Sequence, residues 1–423
     1  MPESAELVGG TLRICLLTEI FHPEDQGGQG QQAFELARRI RNRGIDVIVA
    51  TRRNFAASAP RDTIDGIEVT RLDPTGLLKG AGWAAVLPTF AFLGRLLVYL
   101  VRSRRRYDLV LVQGAKGILI PAIFASRMLG KSCVVKVDAV AELEEDLTPE
   151  SLQRMGLSQR SLAVRMWAGF RDWLLRRADA AIAISAELAA ALARHCGPAA
   201  RVERIPNGID LQLWAGASVD KRELRRRLRL PDGVLLTCTG RLSRNKGLLP
   251  LLQVWQQVAP RYPHAHLILV GSGDRSFDGC ESELREYADR NGLAARVTFT
   301  GQVDNVADYL RASDLFVLSS RSEGFGLSLA EAMAVGLPCI STAVGIAPEL
   351  MPTRASGWLV AVDDVQALRA AIEEALESPA SWPAIGAAAR RAVMSQFDLD
   401  EVTTRYVELF RRLVRAAPAV SGS

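Results

Sequence analysis

The chain has 423 residues, 48% of them hydrophobic and 23% charged, which is typical of soluble globular proteins and is too long for a single hydrophobic core. Its formal net charge of +5 is too small to indicate a nucleic-acid-binding protein. The six cysteines lack metal-ligand spacing, so buried free thiols in a reducing cytosol account for them.

Basic residues are concentrated in the N-terminal half. Residues 1–204 contain 28 Lys and Arg against 22 Asp and Glu, whereas the remainder contains 24 against 25. This imbalance favours an anionic surface or substrate for the first half. The first 13 residues lack the charged and apolar regions of a signal peptide, so we expect a cytoplasmic protein.

A strand, a glycine-rich turn and a helix open the chain in the order that proteins use to hold phosphates. Residues 12–18 predict a buried strand, and the turn that follows contains Gly27 and Gly28. The turn is not a complete dinucleotide fingerprint, so a phosphate-contacting turn and a tight turn without a ligand both remain open. His22 in the same loop can donate to a substrate or simply meet water.

Apolar strand candidates alternate with helical stretches through the rest of the first half. The candidates are residues 45–51, 66–72, 108–114, 131–138 and 179–185. This alternation predicts a doubly wound α/β domain.

Two segments of the first half mix aromatic, aliphatic and basic residues. Residues 83–101 are nearly long enough to span a bilayer, but Pro88 and Arg95 interrupt them, which disfavours a span. A core helix against the sheet and an interfacial helix on anionic lipid remain as interpretations. Residues 165–177 repeat the mixture of Trp and Arg, so peripheral contact with the inner face of an anionic membrane stays open.

Turn-forming residues mark a joint between two domains. Pro206, Asn207 and Gly208 follow the last strand candidate of the first half, and a second series of strands begins at residue 234. We therefore divide the chain into a domain of residues 1–205, a domain of residues 206–397 and a final helical segment, 398–423, with apolar residues at helical spacing.

Arg241 and Lys246 follow the first strand of the second half at its carboxyl end. Two fixed cations there can neutralise a diphosphate without a metal, although solvation of a surface cation explains either residue taken singly.

Asp398 and Asp400 form the single Asp-x-Asp pattern, but they open a helix, so capping accounts for them and we expect no metal cofactor.

The stretch from residue 319 to 345 carries the densest set of candidate ligand-binding groups. Glu323 follows a buried strand, and Glu331 lies eight residues later in a helix. Between them, Phe325, Gly326 and Leu327 present backbone N–H groups at the helix N-terminus, where a phosphate can bind. Because a carboxylate accepts two hydrogen bonds, the stretch predicts a pocket for a sugar, a diphosphate and a ribose. An ordinary βαβ unit with solvated glutamates is the alternative.

Seven segments, taken in order, resemble the retaining GT-B glycosyltransferases of family GT4, the glycosyl transferases group 1 set. Each is weak alone, but their order and spacing are specific and cover nearly the whole chain. The segments are GGQG, DAAIAIS, RIPNGID, GRLSRNKG, LVGSG, the Glu323-x7-Glu331 element and GIAPE.

The resemblance implies two Rossmann-like doubly wound domains facing across a cleft, with the C-terminal helix crossing back to the first. The first domain is then acceptor-binding and the second binds the nucleotide sugar, most commonly a UDP-sugar. Arg241 and Lys246 would hold the diphosphate, Glu323 the sugar hydroxyls and Glu331 the ribose, and the first three would be catalytic. The implied donor-binding residues are Gly27, Gly28, Arg241, Lys246, Glu323, Phe325, Gly326, Leu327 and Glu331.

The chain departs from the family pattern at the strand that ends in Asp138. Many relatives carry a histidine there, near the transferred sugar, whereas this chain has Asp138 followed by an acidic run. The usual histidine contact is therefore absent by sequence, and His22, Lys136 and Asp138 become the candidates for acceptor contacts.

The resemblance predicts transfer of a hexose-type sugar from a nucleotide diphosphate donor to a glycan, lipid-linked or small-molecule acceptor, in polysaccharide or glycoconjugate biosynthesis. Two alternatives belong to other classes. A nucleotide-sugar epimerase would need a histidine in the site, and none of the four histidines lies beside Glu323. A non-catalytic nucleotide-sugar-binding subunit is disfavoured by the intact set of Arg241, Lys246, Glu323 and Glu331.

Overall fold

The computed structural model describes residues 11–24, 28–55, 57–74, 87–144, 158, 161–197, 201–216, 220–273 and 278–416. The chain divides into two compact units. The first contains the residues up to 207 together with those from 400 onward, and the second contains residues 208–399.

The first unit is built on an eight-stranded sheet in the order β3-β4-β2-β1-β5-β6-β7-β8. Every neighbouring pair is parallel except β3 with β4. The central strands are almost entirely buried and mostly apolar because helices cover both faces of a parallel sheet. The strands are β1 Arg13–Thr18, β2 Asp46–Arg53, β3 Arg61–Ile64, β4 Ile67–Pro74, β5 Leu109–Gln113, β6 Ser132–Val137, β7 Ala180–Ala183 and β8 Val202–Arg204.

Among the described residues of the first unit, six helices lie between these strands. They are α1 Gly28–Asn42, α2 Leu87–Arg102, α3 Leu119–Leu129, α4 Ala141–Glu144, α5 Leu162–Leu175 and α6 Ala186–Cys196. The described part of the segment predicted at 83–101 is α2, which buries Phe92, Leu96 and Leu100. Among the described residues, no helix combines the length and the apolar character needed to cross a bilayer.

The second unit is built on a six-stranded, all-parallel sheet in the order β11-β10-β9-β12-β13-β14. Its strands are β9 Val234–Thr239, β10 Ala265–Val270, β11 Val297–Phe299, β12 Leu315–Leu318, β13 Cys339–Thr342 and β14 Trp358–Val360. Its helices are α7 Leu211–Trp214, α8 Lys221–Leu228, α9 Leu248–Val258, α10 Glu281–Arg290, α11 Val306–Ala312, α12 Leu327–Val335, α13 Ala347–Leu350, α14 Val365–Glu377 and α15 Trp382–Met394. The predicted class of two α/β domains with parallel sheets is confirmed.

A last helix, α16 (Leu399–Ala416), packs on the core of the first unit. It buries Val402, Tyr406, Phe410 and Leu413 there, and this spacing of three or four residues places them on one helical face. Strand β3 was not predicted from the sequence. The residues of β3 are mostly exposed and polar, and they form the edge of the sheet, so no apolar run marks them.

Candidate functional site

The candidate site of the second unit lies where its strand order reverses. From β9 the sheet continues in one direction through β10 and β11 and in the other through β12, β13 and β14. At such a switch point the loops after two neighbouring strands run to opposite sides and leave a crevice at the carboxyl ends. The loops after β9 and β12 carry Lys246 and Glu323, so both lie at this position.

Hydrogen bonds join the loop after β9 to the loop after β12. The Asn245 side chain donates to the Ser322 carbonyl at 2.8 Å, and the Arg321 N–H donates to the Asn245 carbonyl at the same distance. The Ser319 hydroxyl donates to the Lys246 carbonyl at 2.9 Å. These contacts hold the two loops in one geometry before any ligand binds.

Two glycines allow the backbones of this region to approach closely. A Cβ at Gly247, where φ is +63°, would lie 2.0 Å from the Ser319 carbonyl oxygen. A Cβ at Gly345, where φ is +55°, would lie 2.3 Å from the Phe325 carbonyl oxygen. Both a left-handed backbone and the absence of a side chain are therefore required at these positions.

The structure brings Lys246 and Glu323 into direct contact. Lys246 Nζ donates to Glu323 Oε1 at 2.6 Å, and the Ser320 hydroxyl donates to the same oxygen at 2.6 Å. The Lys246 and Glu323 side chains are 19% and 13% exposed, so the pair is partly shielded but open to solvent. Lys246 keeps two further N–H bonds to donate, and Glu323 Oε2 remains as an acceptor.

Backbone N–H groups at the start of α12 follow Glu323 by three and four residues. In the part of the chain that the structure describes, the N–H groups of Gly326 and Leu327 meet no acceptor. At Gly326, where φ is +96°, no atom lies within 4 Å of an added Cβ. Phe325 is buried and packs edge-to-face on Phe397, with 5.4 Å between ring centroids, which fixes the loop. The helix terminus is thus available to an anion.

Glu331 lies in the second turn of α12 and within electrostatic reach of Lys246. Burial raises the pKa of its carboxyl from 4.5 to about 7, and the positive charge of Lys246 offsets part of that rise. The site therefore contains one carboxylate in an ion pair and one carboxyl group held near the point of ionisation.

Replacing Glu331 by glutamine is expected to raise the free energy of unfolding at neutral and higher pH. The folded protein binds the Glu331 proton more tightly than the unfolded chain, so wild-type stability falls as pH rises from 4.5 through about 7. Glutamine carries no such proton. The free energy of unfolding of the variant should therefore exceed that of wild type by an amount that grows across this window towards about 3 kcal/mol. Urea unfolding between about pH 5 and pH 8 measures it.

Glu286→Gln is the matched control, because it removes an exposed carboxylate from α10 of the same unit. The raised pKa of Glu331 would be contradicted if Glu331→Gln increased the free energy of unfolding as much at pH 5 as at pH 8. It would also be contradicted if that increase were no larger than the increase from Glu286→Gln.

Arg241 lies two residues beyond β9 on the same loop, and its side chain is exposed. Within the described ranges it has no acidic partner, so the structure places it near the site but does not bring it onto Lys246 or Glu323.

Three hydroxyl residues were missed by the sequence analysis. Ser320 supports Glu323, and the buried hydroxyl oxygens of Thr239 and Ser328 lack hydrogen-bond partners among the described residues. A small polar residue at a strand end or first helical turn is the only sequence signal for them.

The candidates on the first unit are held together by a chain of side-chain contacts. Lys136 and Asp138 form a largely buried ion pair at 2.7 Å, and Gln29 Nε2 donates to the other Asp138 oxygen at 2.9 Å. Gln113 Nε2 donates to the Gln29 carbonyl at 3.0 Å. This network fastens the start of α1 to the ends of β5 and β6. Gln29 and Gln113 were not predicted, because glutamine in a helix or strand carries no distinctive signal.

The remaining predicted residues of the first unit are placed as follows. Gly28 is the exposed first residue of α1, and Gly27 lies outside the described residues. His22 stacks on Phe34 at 4.6 Å between ring centroids. Glu142 accepts from the Ala115 N–H at 2.8 Å, and burial together with the charge of Asp138 raises the pKa of its carboxyl to about 7.

Comparison with known protein families matches both units. Residues 233–378 match the family described as glycosyl transferases group 1, and residues 27–208 match the glycosyl transferase 4-like domain. The lipopolysaccharide core biosynthesis mannosyltransferase LpsB of Rhizobium meliloti is 31% identical over 263 residues, which is 60% of this chain and 72% of LpsB. The GDP-mannose-dependent alpha-(1-6)-phosphatidylinositol monomannoside mannosyltransferase of Mycobacterium tuberculosis is 31% identical over 51% of this chain and 57% of its own length.

Solved structures resemble the whole chain. Sucrose-phosphate synthase from Thermosynechococcus elongatus has a TM-score of 0.79 at 25% identity and covers 96% of this chain and 100% of its own. HepE from Anabaena, solved in complex with UDP-glucose, has a TM-score of 0.75 at 24% identity and covers 95% of this chain and 100% of its own. The likeness to HepE extends to the fold and no further.

Proposed function

The chain belongs to the glycosyl transferases group 1 family, GT4, with the GT-B fold, and on that premise we propose that it is a retaining hexosyltransferase that uses a nucleotide diphosphate sugar in glycoconjugate biosynthesis. The observation that carries the proposal is the Lys246–Glu323 pair beside the open N-terminus of α12. A cation, a carboxylate and free N–H groups at one strand-end crevice match the phosphates and hydroxyls of such a donor.

Each donor group has a chemically suitable partner in the second unit. Lys246 and Arg241 supply positive charge for the diphosphate, and the N–H groups of Gly326 and Leu327 add hydrogen bonds. Glu323 Oε2 accepts from sugar hydroxyls while Oε1 stays bonded to Lys246 and Ser320. Glu331 accepts from the ribose hydroxyls. With two side-chain cations available, we assign no metal to the reaction.

The proposed reaction breaks the bond between the anomeric carbon and the diphosphate oxygen and forms a bond from that carbon to the acceptor oxygen. Positive charge develops on the sugar ring and negative charge on the diphosphate, so the fixed cations and N–H groups stabilise the transition state more than the ground state. In a front-face mechanism with retention, the departing diphosphate oxygen takes the acceptor proton. That route requires no side-chain base.

The donor and acceptor are proposed by class. The two relatives described above are mannosyltransferases, one named as GDP-mannose-dependent, whereas HepE was solved with UDP-glucose. The sequence-based expectation of a UDP-sugar therefore competes with GDP-mannose. We assign acceptor recognition to the first unit and propose a glycan or lipid-linked acceptor, in line with the basic excess of that half.

A panel of UDP-, GDP- and ADP-hexoses is expected to contain a donor that raises the melting temperature. A ligand at about a hundred times its dissociation constant stabilises a protein by about 2.7 kcal/mol, or roughly 5–10 °C for a unit of this size. Differential scanning fluorimetry in the presence of EDTA measures the shift. No shift with any member, or a shift that EDTA abolishes, would contradict the proposed metal-independent donor site.

Incubation with the selected donor alone separates the transferase from the alternatives in the same preparation. A transferase without acceptor slowly hydrolyses its donor to free sugar and nucleoside diphosphate. Conversion of the donor to an epimeric nucleotide sugar would overturn the proposal in favour of an epimerase, and a stabilising donor that is never cleaved or transferred would favour a binding subunit.

A further inference from the structure

Helix α5 presents large apolar side chains to solvent along one face. Leu162, Met166 and Trp173 are 72%, 67% and 37% exposed. Their spacing of four and seven residues places them in one stripe. Val164, Arg171 and Leu175 lie on the opposite face and are buried. A helix that already buries one apolar face and also exposes Leu, Met and Trp departs from the usual arrangement of a surface helix.

Helix α3 extends this surface. Phe124 and Met128 are 47% and 63% exposed and lie four residues apart. The Phe124 ring lies 6.4 Å from the Trp173 ring, measured between centroids, so the two helices share one exposed patch. We call Phe124, Met128, Leu162, Met166 and Trp173 the apolar face.

Exposed arginines flank the apolar face. Arg177 stacks on Trp173 with its guanidinium carbon 3.5 Å from the ring centroid, and Arg127 donates to the Arg177 carbonyl at 2.5 Å. Arg165 and Arg176 are exposed on α5 and at its end. The single acidic residue of α3 and α5, Asp172, pairs with Arg171 and His195 at 3.0 Å each. The exposed charge that α3 and α5 contribute beside the face is therefore positive.

We propose that the apolar face is a docking surface for a lipid bilayer that contains anionic phospholipids. Leu, Met and Phe side chains suit the boundary of the acyl chains, whereas Trp and Arg suit the headgroup level, where arginines contact phosphate. Exposed arginines on two helices whose single carboxylate is paired complement an anionic bilayer better than a mixed-charge protein surface. The surface uses none of the residues of the site on the second unit, so it is independent of the donor chemistry.

Sedimentation of the full chain with vesicles tests this surface. The protein is expected to bind phosphatidylcholine vesicles that contain about 30% phosphatidylglycerol, to bind pure phosphatidylcholine vesicles much less, and to be released as salt increases. The double variant Leu162→Glu/Met166→Glu should lower the partition coefficient by about tenfold or more, because two exposed apolar anchors become anions. Both positions are exposed, so the fold and donor-only hydrolysis should be unchanged.

The matched control is Leu213→Glu/Met394→Glu, which makes the same change at two exposed apolar residues of the second unit. Its partition coefficient for anionic vesicles should stay within about twofold of the wild-type value. Tryptophan emission offers a second measure, since the blue shift on vesicle addition should be lost in Trp173→Phe. The proposal is overturned if wild type does not sediment with anionic vesicles. It is equally overturned if the control variant loses as much of its partition coefficient as the test variant. It is also overturned if sedimentation velocity without lipid shows a wild-type dimer that Leu162→Glu/Met166→Glu dissociates, because a second copy then covers the face.

Discussion

Replacing Lys246 by methionine is expected to lower turnover by about 100- to 1,000-fold. Methionine keeps much of the length and apolar stem of lysine but removes the cation that we assign to the departing diphosphate. That charge develops only as the sugar–phosphate bond breaks, so its loss should appear in kcat as well as in kcat/KM. Steady-state transfer, or donor hydrolysis where the acceptor is unknown, measures the change.

Arg244→Met is the matched control for this variant. Arg244 lies in the same short turn as Lys246, but it is exposed and pairs with Glu283 at 2.5 Å rather than with Glu323. It should retain turnover within about threefold of wild type, because exposed ion pairs contribute little. Near wild-type turnover in Lys246→Met, or an equal loss in Arg244→Met, would remove Lys246 from the catalytic assignment.

The fold was predictable because apolar runs and turn residues repeat in a regular order. Central strands such as β1 and β12 are buried on both faces, and that burial accounts for the apolar runs at residues 14–17 and 315–318. Edge strand β3 was missed because an exposed antiparallel edge needs no apolar run. Strand order was also beyond the sequence alone, since the pairing of β9 with β12 joins residues that lie far apart in the chain.

Membership of the candidate site was predictable where a residue's location follows from its position at a strand end or helix start. Glu323, Lys246 and the turn before α12 have that property. The direct contact between Lys246 and Glu323 was not predictable, because it depends on hydrogen bonds between two loops that are separated by more than seventy residues. The burial that raises the pKa of Glu331 was equally hidden, since an α-helical glutamate has the same sequence signal when it is exposed.

Replacing Glu323 by glutamine is expected to lower turnover by about 100-fold while leaving the protein folded. Both Lys246 and Ser320 donate to Oε1, so the amide oxygen of glutamine must remain at that position to satisfy them. The amide nitrogen then occupies the place of Oε2. It presents N–H bonds where we assign an acceptor for a sugar hydroxyl, and one oriented contact to the donor is lost.

A double-variant cycle decides whether Glu323 acts on the donor or only through Lys246. If Glu323 serves solely to orient the ammonium group 2.6 Å away, Glu323→Gln should cost nothing further once Lys246 is methionine. If Oε2 contacts the sugar, as proposed, the double variant should lose about another tenfold or more in kcat/KM relative to Lys246→Met. Ser320→Ala is the control for a contact that only supports Glu323. It removes the second donor to Oε1 but leaves Oε2 and the charge of Glu323 in place. The loss of kcat/KM in this variant should therefore stay within about tenfold.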